Sequence, residues 1–231
     1  MATALPQTPG SNTPGTGTPQ HRMPAEDRRR QLLETAITLF SEKGFAGTTT
    51  REIAAAAGVT EAIIFRHFAT KQDLYKAILD YKCGADSGGM LGNVEAFMAA
   101  NDDEGLFRFL ITRIIAFHHE DPRFQRLLMH AALEGHELAI IHHNQTKLPI
   151  GEKLKSYIVR RQAAGSLREC DPTAVLFAIA GIPHFYALQK YIYKAADLAL
   201  TDEQVVDSFV HILMNGLHNS NLCNTNSGEK Q

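Results

Sequence analysis

Eleven histidines and three cysteines are the side chains in this 231-residue sequence best suited to hold a metal or move a proton. Their spacing supports neither role. His118-His119 and His142-His143 are adjacent pairs. Neighbours on a helix do not share a face, so neither pair alone makes a chelate. Cys83, Cys170 and Cys223 are far apart and odd in number, which fits a reducing, cytoplasmic setting better than a disulfide frame or a zinc cluster. No Gly-rich phosphate loop, nucleophile elbow or metal-ligand motif occurs. The sequence therefore predicts no enzyme, no metal site and no cofactor. The front of the chain holds chemistry of another kind. Arg28-Arg29-Arg30 can reach phosphates or a minor groove, or can form a solvated helix face. Between Arg22 and Lys82 there are 10 Lys+Arg against 8 Asp+Glu, within a chain of net charge −2. A polyanion would sooner meet this part than the rest, and placement matters more than the small excess.

The stretch that must place such groups is Thr49 to Lys71. Thr49 and Glu52 have capping-box spacing, and Ile53, Ala54 and Ala57 give a small apolar face. Gly58 ends that helix, since glycine enters the left-handed region cheaply. Thr60 can cap a second helix, on which Ile64 and Phe68 fall four apart. An alanine-lined helix lets another cross close over it. This is the logic of a helix-turn-helix, whose second helix can lie in a DNA major groove.

The remainder reads as helical too. Residues 1–24 are rich in Pro, Thr, Gly and Ser and are expected to be a disordered tail. A helix is expected over 25–43, then the two short ones at 50–57 and 61–67, and one after Thr70 that weakens near Gly84 and Gly88-Gly89. Further helices are expected over 91–100, over 103–119, and from Asp121-Pro122 to about His143. Another runs from Pro149 to Gly165, and a long one from Asp171-Pro172 to about Ala196, kinked at Pro183. Thr201 and Gln204 form a full capping box for a last helix to about His218. No apolar run reaches membrane-spanning length. The last two long helices are apolar over wide arcs, and the last carries two stripes, Val205, Phe209, Ile212 and Gly216, and Val206, Val210, Leu213 and Leu217. One stripe can cover the helix's own domain. The other is expected to meet a second copy in a four-helix seam, the alternative being a helix buried all round.

The run TTTREIAAAAGVTEAIIFRHFATKQDLYKAIL, with LLETAITLFSEKGFAGTT before it, resembles the DNA-binding domain of TetR-family (tetracycline-repressor-like) transcriptional regulators over roughly residues 27–82. The resemblance implies an all-α protein: a helix-turn-helix domain at 25–70, a helical effector-binding and dimerisation domain at 71–218, and a polar tail at 219–231. It implies a homodimeric regulator of a pseudo-palindromic double-stranded operator, released by a small-molecule effector. The alternative is a helical ligand-binding or scaffolding dimer without sequence-specific DNA binding. By the same resemblance, Thr49, Thr50 and Arg51 touch phosphates and sometimes a base, chemistry that suits helix-start N–H groups, hydroxyls and a guanidinium. Thr60, Glu61 and Ala62 begin the recognition helix, Phe65, Arg66 and His67 lie on its exposed face, and Lys71 meets a phosphate. Phe65 stands where the family usually has Tyr, and Ile63 where a small or hydroxylated residue is common. Arg28 adds a further DNA contact. The effector pocket is expected among helices from about 71 to 165, with Phe97, Phe107, Phe117, Met129 and His130 as residues of suitable chemistry that can equally be plain core.

Overall fold

The computed structural model describes residues 23–84, 87–144, 148–195 and 198–217. Eleven α-helices occur among them, with no β-strand: α1 (Ala25–Lys43), α2 (Thr50–Ala57), α3 (Glu61–His67), α4 (Lys71–Cys83), α5 (Ser87–Ala100), α6 (Asp103–Glu120), α7 (Pro122–Leu133), α8 (Glu137–His142), α9 (Leu148–Ala163), α10 (Pro172–Ala187) and α11 (Asp202–Leu217). Most of the expected tail at 1–24 and all of that at 219–231 lie outside the described residues.

Local chemistry explains where these helices start. The Glu52 amide donates to Thr49 Oγ1 at 3.2 Å and the Thr49 amide to Glu52 Oε2 at 2.8 Å, a closed capping box. Thr70 accepts from the Asp73 amide at 3.0 Å to begin α4. Asp121 and Asp171 cap α7 and α10, each with proline at the first helical position. Thr201 and Gln204 close a second reciprocal box ahead of α11.

Two expected helices are shorter than their apolar patterns. The helix after Pro122 stops at Leu133 rather than near His143. Gly135 turns left-handed at φ +65°, and the His136 amide closes back on Ala131 O at 2.8 Å. His136 then accepts from the Leu138 amide and starts α8 in a new direction. The helix after Pro172 gives way at Leu188–Ile192 to a π-helical turn, in which the Tyr193 amide bonds Leu188 O at 2.9 Å. α5 begins at Ser87, earlier than expected, and takes in Gly88 and Gly89.

Two apolar cores result. The first joins Leu32, Ile37 and Phe40 of α1 to Ile53 of α2, Ile64 of α3, Leu74, Tyr75 and Ile78 of α4, Phe124 and Leu127 of α7, and Leu138 of α8. Packing under the helix-turn-helix thus continues beyond residue 70. The second joins Phe107, Leu110 and Ile111 of α6 to Leu154 and Ile158 of α9, Val175 and Ile179 of α10, and Val205, Val206, Val210 and Leu213 of α11. No described helix is long and apolar enough to cross a membrane.

Candidate nucleic-acid interface

The paired helices α2 and α3 are held from below. Ile53 and Ile64 are fully buried and Phe68 nearly so. Gly58 joins the pair at φ +67°. From α1, Gln31 Nε2 donates to Ala57 O at 3.2 Å, and Arg29 Nη1 donates to His67 O at 3.3 Å with its guanidinium 4.5 Å from the Phe68 ring centroid. Arg29 therefore caps the end of α3, where the helix dipole favours a cation. The sequence offered the arginine run as a phosphate or minor-groove contact or as a solvated helix face, and passed over this role. Register could have found it, because Arg29 shares the buried side of α1 with Leu32, Leu33 and Ala36.

The opposite side faces solvent. Thr49, Arg51, Thr60, Ala62, Phe65 and Arg66 are exposed, Phe65 by 46%. Thr50 and Glu61 are half-buried, and the Thr50 hydroxyl donates to Glu61 Oε1 at 3.0 Å. Thr60 occupies the cap position of α3 in extended backbone, but its hydroxyl makes no cap bond, contrary to the expectation. Glu52 is bound by Lys43, the Thr49 amide and the Thr49 hydroxyl, which pull its carboxyl down to about 2.

Three of the residues expected at DNA have partners or surroundings within the chain. His67 does not lie on the open face. Burial, then the charges of Arg66, Arg29 and Arg28, lower its pKa, and its Nε2 is buried without a hydrogen-bond partner among the described residues. The ring lies within reach of the Arg28 and Arg29 charges of α1. The Lys71 ammonium donates to Phe45 O and stands 4.0 Å from the Phe45 ring centroid. Burial lowers its pKa, while Glu134 and Glu52 oppose that shift. Arg28 is half-buried and donates to Gln31 Oε1 at 2.6 Å.

The residues expected to line an effector pocket are not brought together. Phe107 is fully buried in the second core, and Phe97 packs beside it, 5.7 Å from the Phe109 ring. Phe117 packs at the first core, 5.7 Å from the Phe124 ring. Met129 and His130 are half-buried on α7. An open groove of about 480 Å³ lies between α10 and α11, lined by apolar side chains that include Phe177, Ile182, Phe185 and Phe209. Another of about 660 Å³ lies between α5 and α9, within the expected range of helices, lined by Met98, Tyr157 and Arg160 among others.

The residues expected at a dimer seam divide. Val205, Val206, Val210 and Leu213 are buried within their own chain, and Leu217 is half-buried against the same core. Ile212 is 60% exposed, and Phe209 borders the groove. The outward apolar face is therefore built as much by α10, where Phe177 is 71% and Phe185 61% exposed, as by α11. The sequence pattern offers both of the last two helices to the seam, but the residues expected there lie on α11 alone. The i, i+4 and i+5 spacing of Phe177, Gly181 and Ile182 was the available signal.

Residues 32–78, which cover α2, α3 and their supports, match the family model described as bacterial regulatory proteins, tetR family. Over these residues the chain is similar to the TetR family. Among TetR-type relatives, the HTH-type transcriptional repressor Rv3405c of Mycobacterium tuberculosis is 41% identical over 68 residues, covering 25% of this chain and 36% of that protein. The HTH-type transcriptional activator FasR of Mycolicibacterium smegmatis is 29% identical over 108 residues, covering 47% and 48%. The chain thus spans between about a third and a half of the length of these curated relatives. The crystal structure of AibR in complex with isovaleryl coenzyme A and operator DNA superposes with a TM-score of 0.60 at 28% identity, over 80% of this chain and 97% of AibR. The second domain follows a TetR-type helical arrangement although its sequence was little guide to it.

Proposed function

We propose that this protein is a homodimeric, ligand-responsive transcriptional regulator that binds a pseudo-palindromic double-stranded DNA operator. One observation carries the reading. A capped, glycine-jointed helix pair is fixed to a core on one side and presents Arg51, Ala62, Phe65 and Arg66 on the other. Arginine can read guanine N7 and O6 or clamp phosphate, and alanine can touch a thymine methyl. Phe65 can pack on a sugar or methyl group but cannot donate a hydrogen bond. Specificity is then carried by few polar contacts. The relatives include both a repressor and an activator. The reading taken is a repressor released by a small molecule.

Release follows from linkage. Two recognition helices must stand about 34 Å apart to enter successive major grooves. An effector that binds better to another spacing lowers DNA affinity by its difference in affinity for the two states. α4 ends at Cys83 with Gly84 as its cap, and residues 85–86 lie outside the described residues.

Selecting bound sequences from a random DNA pool tests this directly. The expected product is two half-sites related by a dyad, with affinity falling steeply as salt rises. Negligible, salt-independent binding would remove the regulator reading and favour a ligand-binding dimer.

A further inference from the structure

We propose that Glu134, at the end of α7, is a positioning residue for the DNA-contacting front of the molecule. The inference rests on the DNA-binding function proposed above. Glu134 Oε2 accepts from two consecutive backbone amides of the α1–α2 loop, Phe45 at 3.2 Å and Ala46 at 3.4 Å. That loop leads within three residues to Thr49, Thr50 and Arg51. Its conformation sets where α2 begins.

A second observation shows that the contact is built in. Gly44 has φ +73°, and a Cβ placed on it would lie 1.9 Å from Glu134 Oε1. The backbone favours glycine at this position, and a side chain there would displace the Glu134 carboxylate from the loop. The surroundings complete a clamp. The His136 ring stands 4.5 Å from the Phe45 ring and 4.8 Å from that of Tyr75, and Glu137 accepts from Gln72 at 2.6 Å and pairs with Lys76 at 2.9 Å. At the other end of α7, Arg123 reaches Glu34 at 2.8 Å and Thr38 Oγ1 at 2.9 Å. α7 therefore grips α1 near its middle and again just past its end. A shift of α7 must be felt at the start of α2 without passing through the end of α4 at Gly84. The α7–α8 corner is the route by which the second domain sets the front.

The test compares Glu134→Ala and Glu134→Gln in the full chain, with circular dichroism confirming equal helicity. Amide hydrogen exchange at Phe45 and Ala46 is measured without DNA. It should accelerate about tenfold in Glu134→Ala, the scale of a lost charge-assisted hydrogen bond, and stay near wild type in Glu134→Gln, whose amide oxygen still accepts. On DNA selected with the wild type, Glu134→Ala should bind about tenfold more weakly and should accept a wider range of half-site spacings in a fresh selection. Unchanged exchange and unchanged spacing in Glu134→Ala overturn the proposal. So does an equal affinity loss in both variants that tracks a lowered thermal midpoint, because that is a stability effect alone. Absence of DNA binding by the wild type overturns the regulator reading and this role with it, while the exchange data separately decide whether the clamp exists.

Discussion

The Thr50 hydroxyl donates to the Glu61 carboxylate at 3.0 Å, tying the first residue of α2 to the first residue of α3. Both residues had been assigned to DNA by resemblance, yet here each satisfies the other. The carboxylate also sits favourably at the positive end of the α3 dipole. The bond fixes the angle between the two DNA-side helix starts. Thr50→Val keeps the shape and removes the donor, so operator affinity should fall roughly three- to tenfold, the scale of one hydrogen bond. Glu61→Gln should lose less, because its amide oxygen still accepts. Fluorescence anisotropy on the selected operator measures both, and a Thr50→Val protein binding as tightly as wild type would show that the bond is incidental.

Gly58 offers a cleaner test of local structure. Its φ is +67° and a Cβ there would meet nothing within 4 Å. Gly58→Ala therefore isolates backbone strain from crowding, and should cost about 1–2 kcal/mol. For a chain of this size each kcal/mol lowers the thermal midpoint by about 2–4 °C. Gly58→Asn should cost less, since asparagine tolerates the left-handed region. A midpoint unchanged by the alanine would mean the turn relaxes into another form.

Much of this front domain was legible before any coordinates, because its signals are local. Thr49 with Glu52, and Gly58 between two apolar faces, each specify a bond or a dihedral within four residues. The contacts that were not legible come from distant partners. Lys71 turns to Phe45 O, 26 residues away, and His67 lies within reach of the Arg28 and Arg29 charges of α1. The stop at Gly135 was readable as a glycine, but the apolar spacing continued through it to Ile141. The second domain was hardest, since α10 and α11 are apolar on wide arcs and only packing decides which arc faces inward.

Acid should loosen the joint between the two domains. Burial opposes ionisation of Glu34, but hydrogen bonds from Arg123 and Tyr81 and the charge of Lys82 outweigh it and hold the carboxyl below its usual value. Burial likewise opposes ionisation of Asp121, which Arg123 and Lys82 nevertheless keep low. Glu52 is held at about 2, first by Lys43 and then by the Thr49 cap. Each folded-state pKa lies below its unfolded value. Their stabilisation is therefore complete above the ordinary carboxylate range, near pH 4.5 for Glu52, and is lost as pH falls through the lowered values. Helical circular dichroism followed from pH 6 to about 2 should show a transition. Arg123→Met should move that transition to higher pH. An Arg123→Met curve superposing on wild type would remove this cluster from the account.

The outward face of α10 and α11 decides the assembly. Exposed Phe177, Ile182 and Phe185 line an open groove, and Ile212 of α11 is exposed as well; clustered apolar side chains of this kind mark interaction surfaces. In the proposed dimer a second copy would cover it without any further partner. A two-fold interface also places each substituted residue at two related positions, so one charge per chain introduces two into the seam. Phe177→Glu and Ile212→Glu should each yield monomers in sedimentation velocity while keeping wild-type helicity, because both side chains are exposed within their own chain. Both should also lose most operator affinity, since a monomer engages one half-site and forgoes the gain from linked binding. Val210→Asp should behave in the opposite manner. Val210 is 2% exposed in the second core, and an unpaired charge there should unfold the domain rather than part the dimer. Dimers persisting in both surface variants would place the interface elsewhere. Folded monomers from Val210→Asp would instead place the seam on the stripe of Val206, Val210 and Leu213.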